Sequence, residues 1–240
     1  MNKNDLKNRI ACGALLFGGL SIINLRYIML VMNTINIADL LLCQLNNINT
    51  IAFPFMYVSM LIGDGVEWIN EKQVNDTIRS KMLRMWNNSL LSATASIVTF
   101  FVVNVVIGLL LYAVKHIPLH ITVLQIIEVG CSLIYIIVRM TILFSICYSA
   151  KDLFQPVVGE VLILTICFVD FYGYIVRDNV RPLLFVMGEH TIFNYSYGFT
   201  DCYRPNRILA PIYWICLGLI ITCIYYFCLK RKQNEKNFSL

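Results

Sequence analysis

The chain has 240 residues, of which 58% are hydrophobic and 14% charged, with a formal net charge of +5 and a mean hydropathy of +0.70. An ordinary soluble domain is about half apolar and a quarter charged, so this composition excludes one and points to a membrane. A spanning β-barrel is excluded too, because it needs alternating segments of about ten residues and the apolar runs here do not alternate.

The opening MNKNDLKNR is basic and leads into the first apolar run, 11–32. That run is longer than a secretory-signal core, holds Arg26 and ends in VMNT without a small-x-small site, so it reads as a retained helix. Arg9 stands where a lipobox has an aliphatic residue, which disfavours lipid attachment at Cys12. Segment 33–47, NTINIADLLLCQLNN, has no Lys or Arg and is expected to be an external loop. The second run, 48–66, contains Pro54, which a transmembrane helix tolerates. Its IGDG, Ile62 to Gly65, resembles the Gly-x-Gly-Asp of membrane aspartyl proteases. Leu61 replaces the first Gly and no Tyr-Asp partner exists, so Asp64 reads as the end of the second helix rather than half of a proton-sharing pair.

Between the second and third runs lies EKQVNDTIRSKMLRMWNNS, residues 71–89. At 100° per residue, Val74, Ile78, Met82, Met85 and Trp86 share one arc about 120° wide, while Asp76, Ser80 and Arg84 fall opposite. Asn75 interrupts the arc and Leu83 lies off it. The segment is expected to form an imperfect basic amphipathic helix, buried either in the membrane interface or in a protein groove.

The remaining runs are 90–113, about 120–148, 157–176 and 208–229, which makes six, each about the length that crosses a ~30 Å hydrocarbon core. HIPLH, with His116 and His120, has the spacing of a helical metal pair, but Pro118 intervenes and no Glu follows the first His. Adding His190, Glu189 or Cys202 fixes no ligand spacing. Arg26, Glu128, Arg139, Glu160 and Asp170 lie within predicted spans, where charges face the protein or a watery cavity. Arg139 and Glu160 are placed near the inner helix ends, where they pair locally or snorkel. Arg26, Glu128 and Asp170 are expected in the outer half, close enough to meet, as structural ion pairs or as substrate contacts. The outer segment RDNVRPLLFVMGEHTIFNYSYGFTDCYRPNR carries Phe193, Tyr195, Tyr197, Phe199 and Tyr203, expected to form a lid on the membrane surface. Asn194 begins a glycosylation sequon. Most of the nine cysteines fall in spans. Cys43 and Cys202 are predicted outside, where a disulfide is conceivable but not inferable.

With the N-terminus inside, the inner segments hold Lys3, Lys7, Arg9, Lys72, Arg79, Lys81, Arg84, Lys151, Lys230, Arg231, Lys232 and Lys236. The outer segments hold only Lys115, Arg177, Arg181, Arg204 and Arg207. This bias places both termini in the cytoplasm.

This layout, with Glu71, Asn75, Asp76, Thr77, Arg79, Lys81 and Arg84 before the third span, resembles the membrane subunit of an ABC-2-type transporter. Asp76 stands where the family has Gly, and the Pro before the basic pair is absent. The resemblance implies an all-α fold of six transmembrane helices, N-in and C-in, as a single permease domain over 1–240 in the cell membrane. It also implies that 71–89 is a coupling helix, with Glu71, Val74, Ile78, Arg79, Met82, Arg84 and Trp86 facing an ABC ATPase subunit, and that a second permease subunit completes the path. No Gly-Lys dipeptide occurs, so no P-loop is present, and ATP is expected on the partner rather than as a cofactor of this chain. No Gly-x-Ser-x-Gly elbow or other catalytic constellation appears, so the chain is not expected to be an enzyme or to bind a metal. The alternative is a non-transporting membrane protein, a self-protection factor or scaffold whose basic loop lies on anionic lipid.

Overall fold

The computed structural model describes residues 3–31, 37–47, 52–70, 77–115, 121–176, 191–192, 203–204 and 209–238. Among these the chain forms helices α1 (Lys3–Val31), α2 (Ile37–Asn47), α3 (Ala52–Asn70), α4 (Ile78–Lys115), α5 (Val123–Leu153), α6 (Pro156–Val176) and α7 (Leu209–Phe238). One antiparallel pair, β1 (Thr191–Ile192) with β2 (Tyr203–Arg204), sets Thr191 opposite Arg204.

Each of the six apolar runs overlaps a helix. Among the described residues, four helices are long and apolar enough to cross a membrane, through Leu6–Ile23, Ile78–Val114, Val123–Leu153 and Ile212–Glu235, and α6 carries a shorter apolar stretch, Val157–Phe168. Their outer faces fit lipid rather than water. Leu15, Ile23, Val102, Ile134, Val161 and Leu219 are all more than half exposed, on five different helices. Spread over α1, α4, α5, α6 and α7, these apolar faces make the chain a multi-pass membrane protein.

Helices α4 and α5 form the centre. Helix α4 touches α1, α2, α3, α5 and α7, while α5 touches α2, α4, α6 and α7. The core includes the Phe17, Phe55 and Phe100 rings, where α1, α3 and α4 meet, and, further along, Phe144 and Tyr148 of α5 and Trp214 of α7.

The boundaries follow local chemistry. Thr77 caps α4: its Oγ1 accepts from Ser80 N at 3.3 Å, and its carbonyl accepts from Lys81 N at 3.1 Å. A capping box starts α5, where Gln125 N donates to Thr122 Oγ1 at 3.3 Å and Thr122 N to Gln125 Oε1 at 2.9 Å. Only Phe154 and Gln155 separate α5 from α6, which opens on Pro156, a residue suited to a first helical position.

Two expectations are corrected here, and two segments carry structure that the sequence reading left open. Segment 33–47 is not simply an external loop, because Ile37–Asn47 is helical and buries Ile37, Leu40, Leu41 and Leu45. Residues 78–89 are not a separate helix before the third span; they are the first turns of the 38-residue α4. The basic tail after 229 continues α7 to Phe238, with Arg231 Nε 2.9 Å from Glu235 Oε1 one turn on. Segment 177–207 contains the β1–β2 pair, and β2 touches α2.

Candidate functional site at the charged end of the bundle

The ends of six helices converge on two consecutive residues, Lys151 and Asp152, in the last turn of α5. Lys151 Nζ lies 3.0 Å from Asp64 Oδ1 on α3 and 3.0 Å from Glu160 Oε1 on α6. Asp64 is shared with α1, since Arg9 Nη1 stands 3.6 Å from its Oδ2 and also donates to the Leu61 carbonyl at 3.3 Å. Asp152 accepts from Tyr225 Oη on α7 at 2.9 Å and faces Lys81 and Arg84 on α4, each at 3.9 Å. Lys232 Nζ donates to the Leu153 carbonyl, adding a second tie to α7.

Helix direction explains this convergence. Helices α1, α4 and α6 begin at this end, and α3, α5 and α7 finish there. Charges that would be costly in hydrocarbon are thereby collected where hydrophobic spans stop. The 3.0 Å contacts of Lys151, whose side chain is 10% exposed, are the strong ones. The 3.9 Å contacts around Asp152 are looser, partly exposed and individually weak.

Close backbone approach supports the cluster. A Cβ on Gly159 would fall against the Cys147 carbonyl oxygen and lie 2.6 Å from Lys151 Cγ, so α6 reaches α5 only without a side chain there. On Gly63, a Cβ would lie 2.9 Å from Phe144 Cε1 and 3.1 Å from Tyr148 Oη. Tyr148 donates to the Gly63 carbonyl at 3.2 Å, so its 2.7 Å contact with Ser92 is donated by the serine.

The residues expected in a coupling helix divide into two faces. Ile78, Met82 and Trp86 are half-buried against the chain's own core, and Met85 is buried in it. Trp86 lies across α7: its Cη2 is 3.3 Å from where a Cβ on Gly218 would stand. Arg84 turns to Asp152. Arg79 and Leu83 face outward, Leu83 being 55% exposed. Glu71 and Val74 lie outside the described residues.

Of the predicted intramembrane charges, Glu128 is buried on α5. Arg26 and Asp170 belong to α1 and α6, but their side chains fall outside the described residues. Glu160 pairs locally, as expected. Arg139 does not sit near a helix end: α5 continues to Leu153, leaving Arg139 mid-helix and 4% exposed, with its guanidinium 5.6 Å from the Trp214 ring centroid. Trp214 Nε1 in turn donates to Tyr135 Oη at 2.9 Å. His116, His120, His190, Glu189, Phe193, Tyr195, Tyr197, Phe199 and Cys202 lie outside the described residues, as does the side chain of Cys43. Among the described residues no group of His, Cys, Asp and Glu could hold a metal ion.

Sequence reasoning counted Lys151 only as a topological charge and passed over Asp152. The signal available was an adjacent Lys-Asp pair closing a long apolar run. Comparison of the chain with protein-family models, with curated proteins and with solved structures returns no match.

Proposed function

We propose that this chain is the transmembrane permease subunit of an ABC-2-type exporter. In this reading it crosses the cytoplasmic membrane six times with both ends inside and works as a homo- or heterodimer. A separate ATPase subunit binds and hydrolyses ATP, and substrate moves by alternating access. The observation that carries the reading is the start of α4. Its first turns are fastened to the bundle through Lys81, Arg84 and Trp86, while Arg79 and Leu83 stay exposed. A basic and apolar surface, anchored to the cluster that ties six helix ends together, suits a partner whose movement must reach every span. Arg and large apolar side chains are common anchors of such interfaces.

Purification of the intact chain in mild detergent from its native membrane tests this. An ATP-hydrolysing protein is expected to accompany it, and Arg79→Glu combined with Leu83→Asp is expected to release that protein while the chain remains inserted and folded. If no ATPase accompanies the intact chain, the exporter reading fails and the self-protection or scaffold alternative takes its place. If the double variant retains the ATPase, the docking assignment fails.

A further inference from the structure

A line of buried polar groups runs through the bundle along α4, interrupted once by aromatic rings. It starts at the charged end with Tyr148 and Ser92 (2.7 Å), followed by Ser96, whose Oγ donates to the Ser59 carbonyl at 3.4 Å. Next come Phe17, Phe55 and Phe100, at most 1% exposed, with centroids 5.0, 5.3 and 5.2 Å apart. One turn beyond these rings, Ser21 follows Phe17 on α1 and Asn104 follows Phe100 on α4. Gln44 Nε2 of α2 donates to the Ser21 carbonyl there at 3.0 Å. From Ser92 to Asn104 the line rises about 18 Å along α4, more than half the ~30 Å hydrocarbon thickness.

Three atoms of this line have no hydrogen-bond partner among the described residues: Ser21 Oγ, Ser59 Oγ and Asn104 Oδ1, all shielded from solvent. Many helical hydroxyls in this chain bond the carbonyl one turn back at 2.7 Å, as Ser89, Thr99, Thr141, Thr165 and Thr222 do. Ser21 and Ser59 do not. Small residues allow helices to pack closely in a membrane, but alanine would serve that purpose without burying an unpaired oxygen, which is costly in apolar surroundings. The unpartnered atoms also flank the rings on both sides. Helix α3 runs opposite to α1 and α4, so Ser59 lies on the charged-end side of Phe55, while Ser21 and Asn104 lie beyond the rings.

We propose that this line is a permeation path within a single chain for water and small uncharged solutes that exchange hydrogen bonds, and that Phe17, Phe55 and Phe100 close it. Between Tyr148 and Asn104 the groups named are hydroxyls, amides and carbonyls, which can replace the hydration of a neutral solute but cannot neutralise an ion. When the rings part, the solute supplies the missing partners of Ser59, Ser21 and Asn104. The proposal is independent of any ATPase.

The full chain in proteoliposomes, with water and urea flux followed by stopped-flow light scattering, provides the test. Phe55→Ala with Phe100→Ala is expected to raise urea flux at least tenfold over wild type, and the lipid-facing Val102→Ala to leave it unchanged. Adding Ser59→Ala and Asn104→Leu to the opened variant is expected to return flux to the wild-type level. A folded ring variant without added flux overturns the proposal. So does a gain that survives the added substitutions, which marks a leak through loosened packing. Ser21→Ala, Ser59→Ala and Asn104→Leu together, with the rings intact, remove unpaired polar atoms and spare folding. This triple variant is expected to lower basal water flux at least twofold, and unchanged basal flux overturns the path even if every ring variant misfolds.

Discussion

Lys151 Nζ lies 3.0 Å from Asp64 Oδ1, a contact between residues 87 positions apart that fastens the end of α5 to α3. Glu160 holds the same ammonium from α6 at 3.0 Å. In Lys151→Met the two carboxylates lose their shared cation, and of the remaining contacts Arg9 reaches only Asp64. Removing one partner of a fully buried pair costs about 3–5 kcal/mol. Here the carboxylate side chains are 33% and 39% exposed, so a loss of about 2 kcal/mol is expected. Thermal unfolding in detergent measures it, and a double-mutant cycle with Asp64→Asn should return a coupling of about 1 kcal/mol.

Two glycines of the bundle should respond in opposite directions to alanine. At Gly159 the added methyl meets the Cys147 carbonyl oxygen, a backbone atom that cannot step aside, so α5 and α6 must separate. Overpacking of this kind costs about 1–3 kcal/mol. At Gly130, within α5, nothing stands within 4 Å of the new Cβ, and relief of glycine's helical penalty should stabilise by up to about 1 kcal/mol. Melting temperatures of the two variants, compared in the same detergent, should move apart.

The two faces at the start of α4 predict a separation of stability from docking. Trp86→Ala removes a half-buried ring that lies over Gly218 and should cost about 2 kcal/mol, below the 3–5 kcal/mol of a fully buried tryptophan. Leu83→Ala, on the outward face, should change stability by less than about 0.5 kcal/mol. Equal destabilisation by both substitutions would contradict the assignment of faces.

Tyr135→Phe takes away the acceptor that Trp214 Nε1 uses at 2.9 Å, at a tryptophan with 0% exposure. Depriving a buried donor of its acceptor costs about 1–3 kcal/mol. The same substitution should alter Trp214 fluorescence, which a purely global loss of stability would not do under native conditions. Unchanged emission and unchanged melting would argue against this bond.

The apolar runs were legible because hydrocarbon thickness sets a length that a sequence displays directly. Helix α2 carries a signal in the sequence, since Ile37, Leu40, Leu41 and Leu45 recur at helical spacing, but the segment is too short to span, and its lack of Lys and Arg speaks only to the side of the membrane. An apolar run ending at 148 puts Arg139 near a helix end, because apolar content stops before the helix does. The Thr122 and Gln125 capping signal and the continuation through Leu153 set it mid-helix instead. Of the cluster around Lys151 and Asp152, only the Lys-Asp pair that closes the apolar run is legible in the sequence. Its partners, Arg9, Asp64, Lys81, Arg84, Glu160 and Tyr225, come from five other helices, and only the packing of those helices decides which charges meet.

Helix α4 contains no proline, the commonest cause of a sharp kink, and its one glycine, Gly108, lies toward the far end against Ile37 and Leu40 of α2. Its 38 residues make a rod about 57 Å long. If the rod tilts about the packed ring of Phe100, the arm toward Arg79 is about 32 Å and the arm toward Lys115 about 22 Å. A sideways displacement at Arg79 then reaches Lys115 reversed in direction and reduced to roughly two-thirds, and reaches α2 at Gly108 reduced to roughly three-eighths, with the rings of Phe17 and Phe55 at the fulcrum.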